Sequence, residues 1–503
     1  MKRRWGIVGS MVSVGGVLIL IKILGFVRQM VVATVFGATA DTDLVTLSQS
    51  FVGNAQYVLT QALLTAMVPI YVRLREEKPS SAGSFATDVL KSGTLISGAI
   101  ALVLFICSPL LARLLAPTYT PVMTARLSAY LRTFSWTLIP LVWMAAFHGA
   151  LNANKRFIPG QLERLYQSII IMAMAIFFSA RLGVNALVVG FCLYILVSTV
   201  ITGVQARRYF LPSGTNPLRS PHIHSLLTMI GPLLIGYGAI YVNQIVDKIL
   251  ISGLESGAVT AVGYASTLTD LISTLIASLC TVLYSHMAEA IAQGKTEAAA
   301  HLIQRSVLIL TLILLPVTII TVCQAEDIIS LLYGRGAFGV EEIQMSALAL
   351  SGYGCAFIPM AWKEIYARVQ YGYQNSRQPT RNSIVGILVN IVLSILLCPR
   401  YGVLGVTLAS SVATLVMGVL NMVTAQQCMP GLSMTPLFQI LPFLCVGGGI
   451  SVFLCIKCNA LLADSHAFVQ LCLTSICVFL VYGVIISPLL WKLSSNLRYF
   501  RNK

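Results

Sequence analysis

The 503-residue chain is 57% hydrophobic and 10% charged, with a mean hydropathy of +0.85; soluble domains carry about 25% charged residues, so a water-soluble fold is excluded. Its net charge of +16 does not indicate a nucleic-acid partner, because Lys and Arg are spread over alternate loops and form no single patch. The apolar runs are continuous, not alternating, which excludes a β-barrel and leaves helices that cross ~30 Å of hydrocarbon.

Polar breaks divide the chain into fourteen predicted transmembrane helices near 8–36, 44–73, 90–115, 127–153, 160–181, 184–206, 226–253, 258–290, 302–323, 343–374, 380–398, 402–425, 436–457 and 467–491. The start, Lys2-Arg3-Arg4, reads as the basic flank of an uncleaved first helix, since no short apolar core with an A-x-A site follows. Basic stretches recur at Arg73–Lys78, Lys155-Arg156, Arg207-Arg208, Lys295–Arg305, Arg377–Arg381 and Lys492–Lys503. The connections between them hold Asp41–Asp43, Glu255, Glu326-Asp327 with Glu341-Glu342, and Asp464. By the positive-inside rule the basic set is cytoplasmic, which puts both termini inside and requires an even helix count.

In the first span, Lys22 and Arg28 are cations within apolar sequence, each costing roughly 2.5–3.5 kcal/mol at mid-bilayer on insertion scales. They read as a pair that receives an anionic group, against snorkelling or pairing with a nearby carboxylate. Asp43 follows at the outer end of the first helix pair, where it serves either as a helix N-cap or as a gate ion pair with Arg28. The second span carries Gln49, Asn54, Gln56, Thr60 and Gln61, too many polar groups for a lipid-facing helix, and reads as cavity lining. In the seventh, Asn243 and Asp247 share a face at i, i+4. They suit ion coordination, or Asp247 pairs with Lys248 or Arg28. Asp270 in the eighth span is a further candidate ion ligand. In the tenth, Lys363 and Glu364 neutralise other groups while Arg368, near the cytoplasmic end, meets phosphate. The longest outer loop, near Gln324–Glu342, reads as turn structure.

No catalytic set, Walker motif or metal-ligand spacing appears, and Cys455-x-x-Cys458 lacks a second pair. The chain therefore reads as a transporter and not an enzyme, with no cofactor and with Na+ or membrane-potential coupling. Segments about 219 residues apart match: Gly183-Val-Asn-Ala-Leu against Gly402-Val-Leu-Gly-Val, and Asn154–Pro159 against Gln374–Pro379. The expected organisation is two pseudo-symmetric six-helix halves, 1–210 and 220–428, followed at 429–503 by two extra helices and a basic tail. Repeated halves around a central site are a transporter design.

At Ile23-Leu-Gly-Phe-Val-Arg28, Val35-Phe-Gly-Ala-x-x-x-Thr-Asp43, Gly263-Tyr-Ala265 and Leu332-Tyr-Gly-Arg-Gly-Ala-Phe338, the sequence resembles the MurJ/MviN family of lipid II flippases. Asp247-x-x-Leu-x-Ser252 and Gly402-Val-x-Gly-Val406 extend the likeness over nearly the whole chain. The resemblance implies a bundle of the multidrug/oligosaccharidyl-lipid/polysaccharide exporter type in the bacterial inner membrane. It also implies a cationic cavity for a diphosphate-sugar headgroup, with Lys22, Arg28 and Asp43 at functional positions. The expected partners are a lipid-linked glycan, membrane lipids and cell-wall synthesis proteins. Two departures stand out: Gln56 and Thr267 occupy positions where that family usually has basic residues. The expected function is outward flipping of lipid II for peptidoglycan synthesis. The alternatives are a flippase for a capsule or exopolysaccharide carrier, a cation-coupled exporter of small molecules, and a glycan polymerase.

Overall fold

The computed structural model describes residues 20–214, 220–373, 375–429, 431–433, 435–461 and 467–501; Lys2-Arg3-Arg4 and the first part of the opening span lie outside them. Every regular element among the described residues is helical. In chain order they are α1 (20–36), α2 (Ala40–Glu77), α3 (Pro79–Leu115), α4 (Pro121–Ser135), α5 (Leu138–Ala153), α6 (Ile158–Leu182), α7 (Asn185–Ala206) and α8 (Pro221–Ser252). Then follow α9 (Ala258–Ala292), α10 (Thr296–Cys323), α11 (Ala325–Tyr333), α12 (Val340–Gly354), α13 (Phe357–Gly372), α14 (Arg377–Cys428), α15 (Thr435–Leu461) and α16 (Ala467–Arg501).

Ten helices are long and apolar enough to cross a membrane, and α12 with α13, bent by 41°, makes an eleventh span. At 52 residues α14 would be ~78 Å long, more than twice the hydrocarbon thickness. It is two spans divided at Gly402, whose φ of 55° and ψ of −132° leave the helical region. Adding α1 and α8 gives fourteen among the described residues. Two interruptions differ from the expected spans: α4 and α5 break at Trp136-Thr137, and α12 and α13 at Cys355-Ala356. The connection expected as a long outer turn holds α11, because Ile328, Ile329, Leu332 and Tyr333 recur at helical spacing on one face.

Helix starts follow local chemistry. Thr39, in extended conformation, caps α2 through a reciprocal box with Thr42. Proline occupies the first turn of α3, α4, α6 and α8, where its missing N–H has no helical partner to lose.

The chain forms two compact units, 1–260 with 336–338, and 261–335 with 339–503. In the first, one core gathers Leu44, Leu47, Leu127, Phe134, Leu138 and Phe191, and a second gathers Met67, Tyr71, Phe85, Ala146 and Leu226. The first unit includes α8, which packs on α2 and α3. In the second unit the largest core joins α9, α10, α13 and α14, and two small clusters seat α15 and α16 on α10. Exposed Ile106, Val200, Phe453 and Leu480 form the apolar outer surface that a lipid solvent requires and that water would not tolerate over so large an area.

Similar local details recur in the two units, with Trp143 and Trp362, and Gly183 and Gly402, each 219 residues apart. Trp143 Nε1 donates to Thr94 Oγ1 at 2.7 Å in the first, and Trp362 Nε1 donates to Thr311 Oγ1 at 2.9 Å in the second. Gly183 (φ 56°, ψ −141°) and Gly402 (φ 55°, ψ −132°) adopt one backbone conformation, which only glycine enters without strain.

Candidate functional site

Asp43 is buried in the first turn of α2, and its carboxylate is fully engaged. One oxygen accepts the backbone N–H of Gly257 and the other that of Thr260, both at 2.8 Å. These are orphan amides at the start of α9, where a carboxylate also meets the positive end of the helix dipole. Of the two roles open from the sequence, the geometry is that of a helix cap, supplied to α9 from another helix, while Thr39 caps α2 itself. The turn before α2 is held from a second side, because Ala337 N–H donates to Thr34 O at 2.9 Å. The Phe36-Gly37-Ala38 turn and the Gly336-Ala337-Phe338 segment therefore meet in space.

Deeper in the same unit, a cavity of about 420 Å³ lies among α2, α5, α6 and α7. From α2 it is lined by Gln49, Gly53, Gln56, Thr60 and Gln61, one face at helical spacing. Asn54 lies off that face; its side-chain nitrogen is buried without a hydrogen-bond partner among the described residues. The opposite wall carries Asn152 and His148 of α5, and Gln161, Glu163, Arg164 and Gln167 of α6. Tyr194 of α7 closes it, with its hydroxyl against the Gln56 amide and within electrostatic reach of Arg28 and Glu163. Arg28 is half-buried on α1 and is not among the residues that line the cavity. Lys22, one and a half turns earlier on α1, is half-buried and has no ion pair among the described residues.

This wall is amide- and hydroxyl-rich and carries one cation, Arg164, beside one carboxylate, Glu163. Such a surface offers donors and acceptors to a polar headgroup, and Arg offers paired donors to phosphate oxygens. Glu163, Arg164, Gln167, Asn152, His148 and Tyr194 were not singled out from the sequence. The available signal was the spacing of Gly160, Gln161, Arg164 and Gln167 on one face of an apolar helix, masked by its closeness to the basic Lys155-Arg156 turn.

The other candidates lie elsewhere. Asn243 and Asp247 are half-buried on α8 of the first unit, and Asp270 is exposed on α9 of the second. Arg368 does not stand free: its guanidinium pairs with Glu364 at 3.7 Å and donates to Ala277 O at 3.4 Å. Glu364 also pairs with Lys363 at 3.7 Å. Thr267 Oγ1 donates to Gly263 O of its own helix at 3.0 Å.

Comparison with known proteins places these features in context. The family model of the lipid II flippase MurJ matches residues 32–480. A probable lipid II flippase MurJ from Rhizobium tropici is 26% identical over 432 residues, covering 81% of this chain and 78% of that protein. A lipid II flippase MurJ from Burkholderia cenocepacia is 23% identical over 424 residues, covering 80% of each. Among solved structures, a lipid II flippase MurJ in an inward closed conformation superposes with a TM-score of 0.79 at 19% identity, over 95% of this chain and 99% of that one. An inward-facing multidrug resistance MATE transporter of the MOP superfamily gives 0.69 at 13% identity, over 82% and 95%. At these identities the structural likeness establishes the fold.

Proposed function

Because the chain belongs to the lipid II flippase MurJ family, we propose that it carries lipid II from the cytoplasmic to the outer leaflet of a bacterial cell membrane by alternating access. No bond in the substrate is made or broken. The observation that carries this reading is the polar cavity, walled by Gln49, Gln56, Gln61, Gln161 and Gln167 with Arg164 and Glu163 beside them. A diphosphate-linked glycan needs a cation for its phosphates and many amide or hydroxyl partners for its sugars and peptide, and the cavity has both. Arg28 and Arg164 take the diphosphate, with Lys22 guiding it along α1. The second-span position without its usual cation, Gln56, has a guanidinium in the same cavity, supplied by α6. Arg368 joins only by exchanging Glu364 for a phosphate.

Both termini are cytoplasmic in this reading. The anionic headgroup then moves outward with the field of a negative interior, gaining about 2.3 kcal/mol per charge per 100 mV. Return of the empty protein draws on the same potential or on Na+ held by the oxygen ligands of Asn243 and Asp247. Enzymes of cell-wall synthesis that consume the flipped lipid are the expected neighbours.

Rescue of cells depleted of their lipid II flippase tests the assignment, alongside headgroup accessibility in proteoliposomes. Rescue by the native chain and loss of flipping in normally inserted Arg28→Ala and Arg164→Ala variants is the expected result. Failure to rescue, with transport of a capsule or exopolysaccharide carrier instead, overturns the lipid II reading. Unchanged flipping in both variants removes the cavity from it.

A further inference from the structure

A second cavity of about 510 Å³ opens between the ends of α3 and α4 in the first unit, apart from the headgroup cavity. Arg113, Arg132, Tyr119, Thr124 and Ser128 line it, and no acidic side chain does. The nearby Asp41 is taken by Arg126 at 2.5 Å, and Asp43 by the α9 amides.

The two arginines are poorly placed for a structural role alone. Arg113 is exposed and makes no ion pair or side-chain hydrogen bond among the described residues. Arg132 donates through Nε to Ser108 Oγ at 2.9 Å, and its guanidinium lies over the Phe105 ring, 5.4 Å from the centroid. Ser108 is in turn 3.0 Å from Ser128 Oγ, so the guanidinium is oriented from behind. Its terminal nitrogens have no protein partner among the described residues. Arg132 is exposed although it lies eleven residues into α4, ~16 Å along the helix. On the same two helices and just after α4, Leu110, Leu114, Val122 and Trp136 are exposed as well, a surface for lipid. An unpaired arginine on such a surface is costly unless an anion meets it.

We propose that this groove binds the phosphate of an anionic membrane phospholipid, with Arg113 and Arg132 as its two cationic contacts and the surrounding leucines, valine and tryptophan against its acyl chains. Two arginines lining one cavity, an oriented guanidinium and exposed apolar side chains on the same helices match a phosphate attached to a diacyl tail better than a free ion. The site lies at the end of the unit that holds the α1–α2 turn, as the Arg126–Asp41 pair requires. Its assignment to the outer leaflet rests on the orientation proposed above; the binding does not.

The test is a titration of the delipidated full chain in detergent with dioleoylphosphatidylglycerol, counting bound lipid by native mass spectrometry. Parallel arms use dioleoylphosphatidylcholine and millimolar inorganic phosphate. The native chain retains phosphatidylglycerol over phosphatidylcholine, and Arg113→Gln/Arg132→Gln weakens that retention by roughly 30-fold, the effect of two basic residues near a membrane surface. Arg113→Lys/Arg132→Lys, which keeps the charge, holds the lipid within a few-fold of the native chain and serves if the glutamine variant does not fold. Native retention in the glutamine variant, or equal loss in the lysine variant, overturns the proposal. Displacement of the lipid by inorganic phosphate overturns it too, by making the groove a site for a soluble anion. Headgroup accessibility in proteoliposomes, measured on the same variants, reports the flipping reaction separately.

Discussion

Asp43 permits a sharp test, because the two roles the sequence allowed for it predict different losses. In the structure its carboxylate satisfies two backbone N–H groups of α9, those of the buried Gly257 and Thr260, at 2.8 Å each. Asp43→Ala leaves both donors unsatisfied, at about 1–3 kcal/mol apiece, so the cost is about 2–6 kcal/mol. Asp43→Asn retains one carbonyl acceptor and turns an amide donor toward the other N–H, so about half of the loss is expected. Hydrogen exchange read by mass spectrometry across residues 254–262 is the direct assay. At 2 kcal/mol the amides of that first turn of α9 exchange ~30-fold faster in the alanine variant, while later turns of α9 keep native rates. Thermal unfolding in detergent gives the order native, Asn, Ala. A gate ion pair with Arg28 predicts something else: equal losses for Asn and Ala, matched by Arg28→Ala, with no local change at 257–260. That pattern, or native exchange in the alanine variant, refutes the cap.

Other expectations follow from the same geometry. Gly183→Ala and Gly402→Ala each lower thermal stability by about 1–3 kcal/mol, and since no atom lies within 4 Å of the added Cβ at either site, the loss isolates backbone strain. Trp143→Phe and Trp362→Phe, which remove equivalent N–H to hydroxyl bonds, each cost about 0.5–1.5 kcal/mol in the same melt; a loss at one site only would argue against structural equivalence. In proteoliposomes Arg164→Gln lowers the initial rate of headgroup exposure by about tenfold or more, the effect of a lost charge-assisted bond, and Gln56→Arg in that background restores part of it. No recovery would mean that the two positions do not serve one ligand.

The membrane fold was legible because lipid imposes a coarse rule: each run of about 20 apolar residues must bury its own backbone polarity in a helix. Gly402 was legible as a boundary through its match to Gly183, and the structure adds that the two glycines share one φ/ψ conformation. The breaks at Trp136 and Cys355 were not singled out, because hydropathy continues across them; their local signal is Pro140 and Pro359, each lacking the N–H that would bond the carbonyl four residues earlier, at the break. Polar α2 residues were visible through their number, but their face was set by packing, which turns Gln56 into the cavity and Asn54 away from it. The role of Asp43 depends on backbone amides more than 200 residues further along the chain. No local pattern encodes such a partner.

Glu163 and Arg164 show a subtler limit. Read along the chain they belong to the polar approach of a helix beside a basic turn, where charge is ordinary. In space that approach forms a wall of the cavity. Arg164 lies six residues into α6, ~9 Å from its start, shallow enough for its guanidinium to remain hydrated during insertion. A cation midway along α2 would bear a larger penalty. With the neutral Gln56 in α2 and Arg164 entering from α6, the cavity has a cation and the second span is spared the cost of inserting one. In the proposed reading the diphosphate meets Arg164 near the start of α6, and the amides of α2 face the neutral sugars and peptide. On this account the missing basic residue redistributes contacts within one headgroup site, and its absence from α2 does not by itself imply a different glycan.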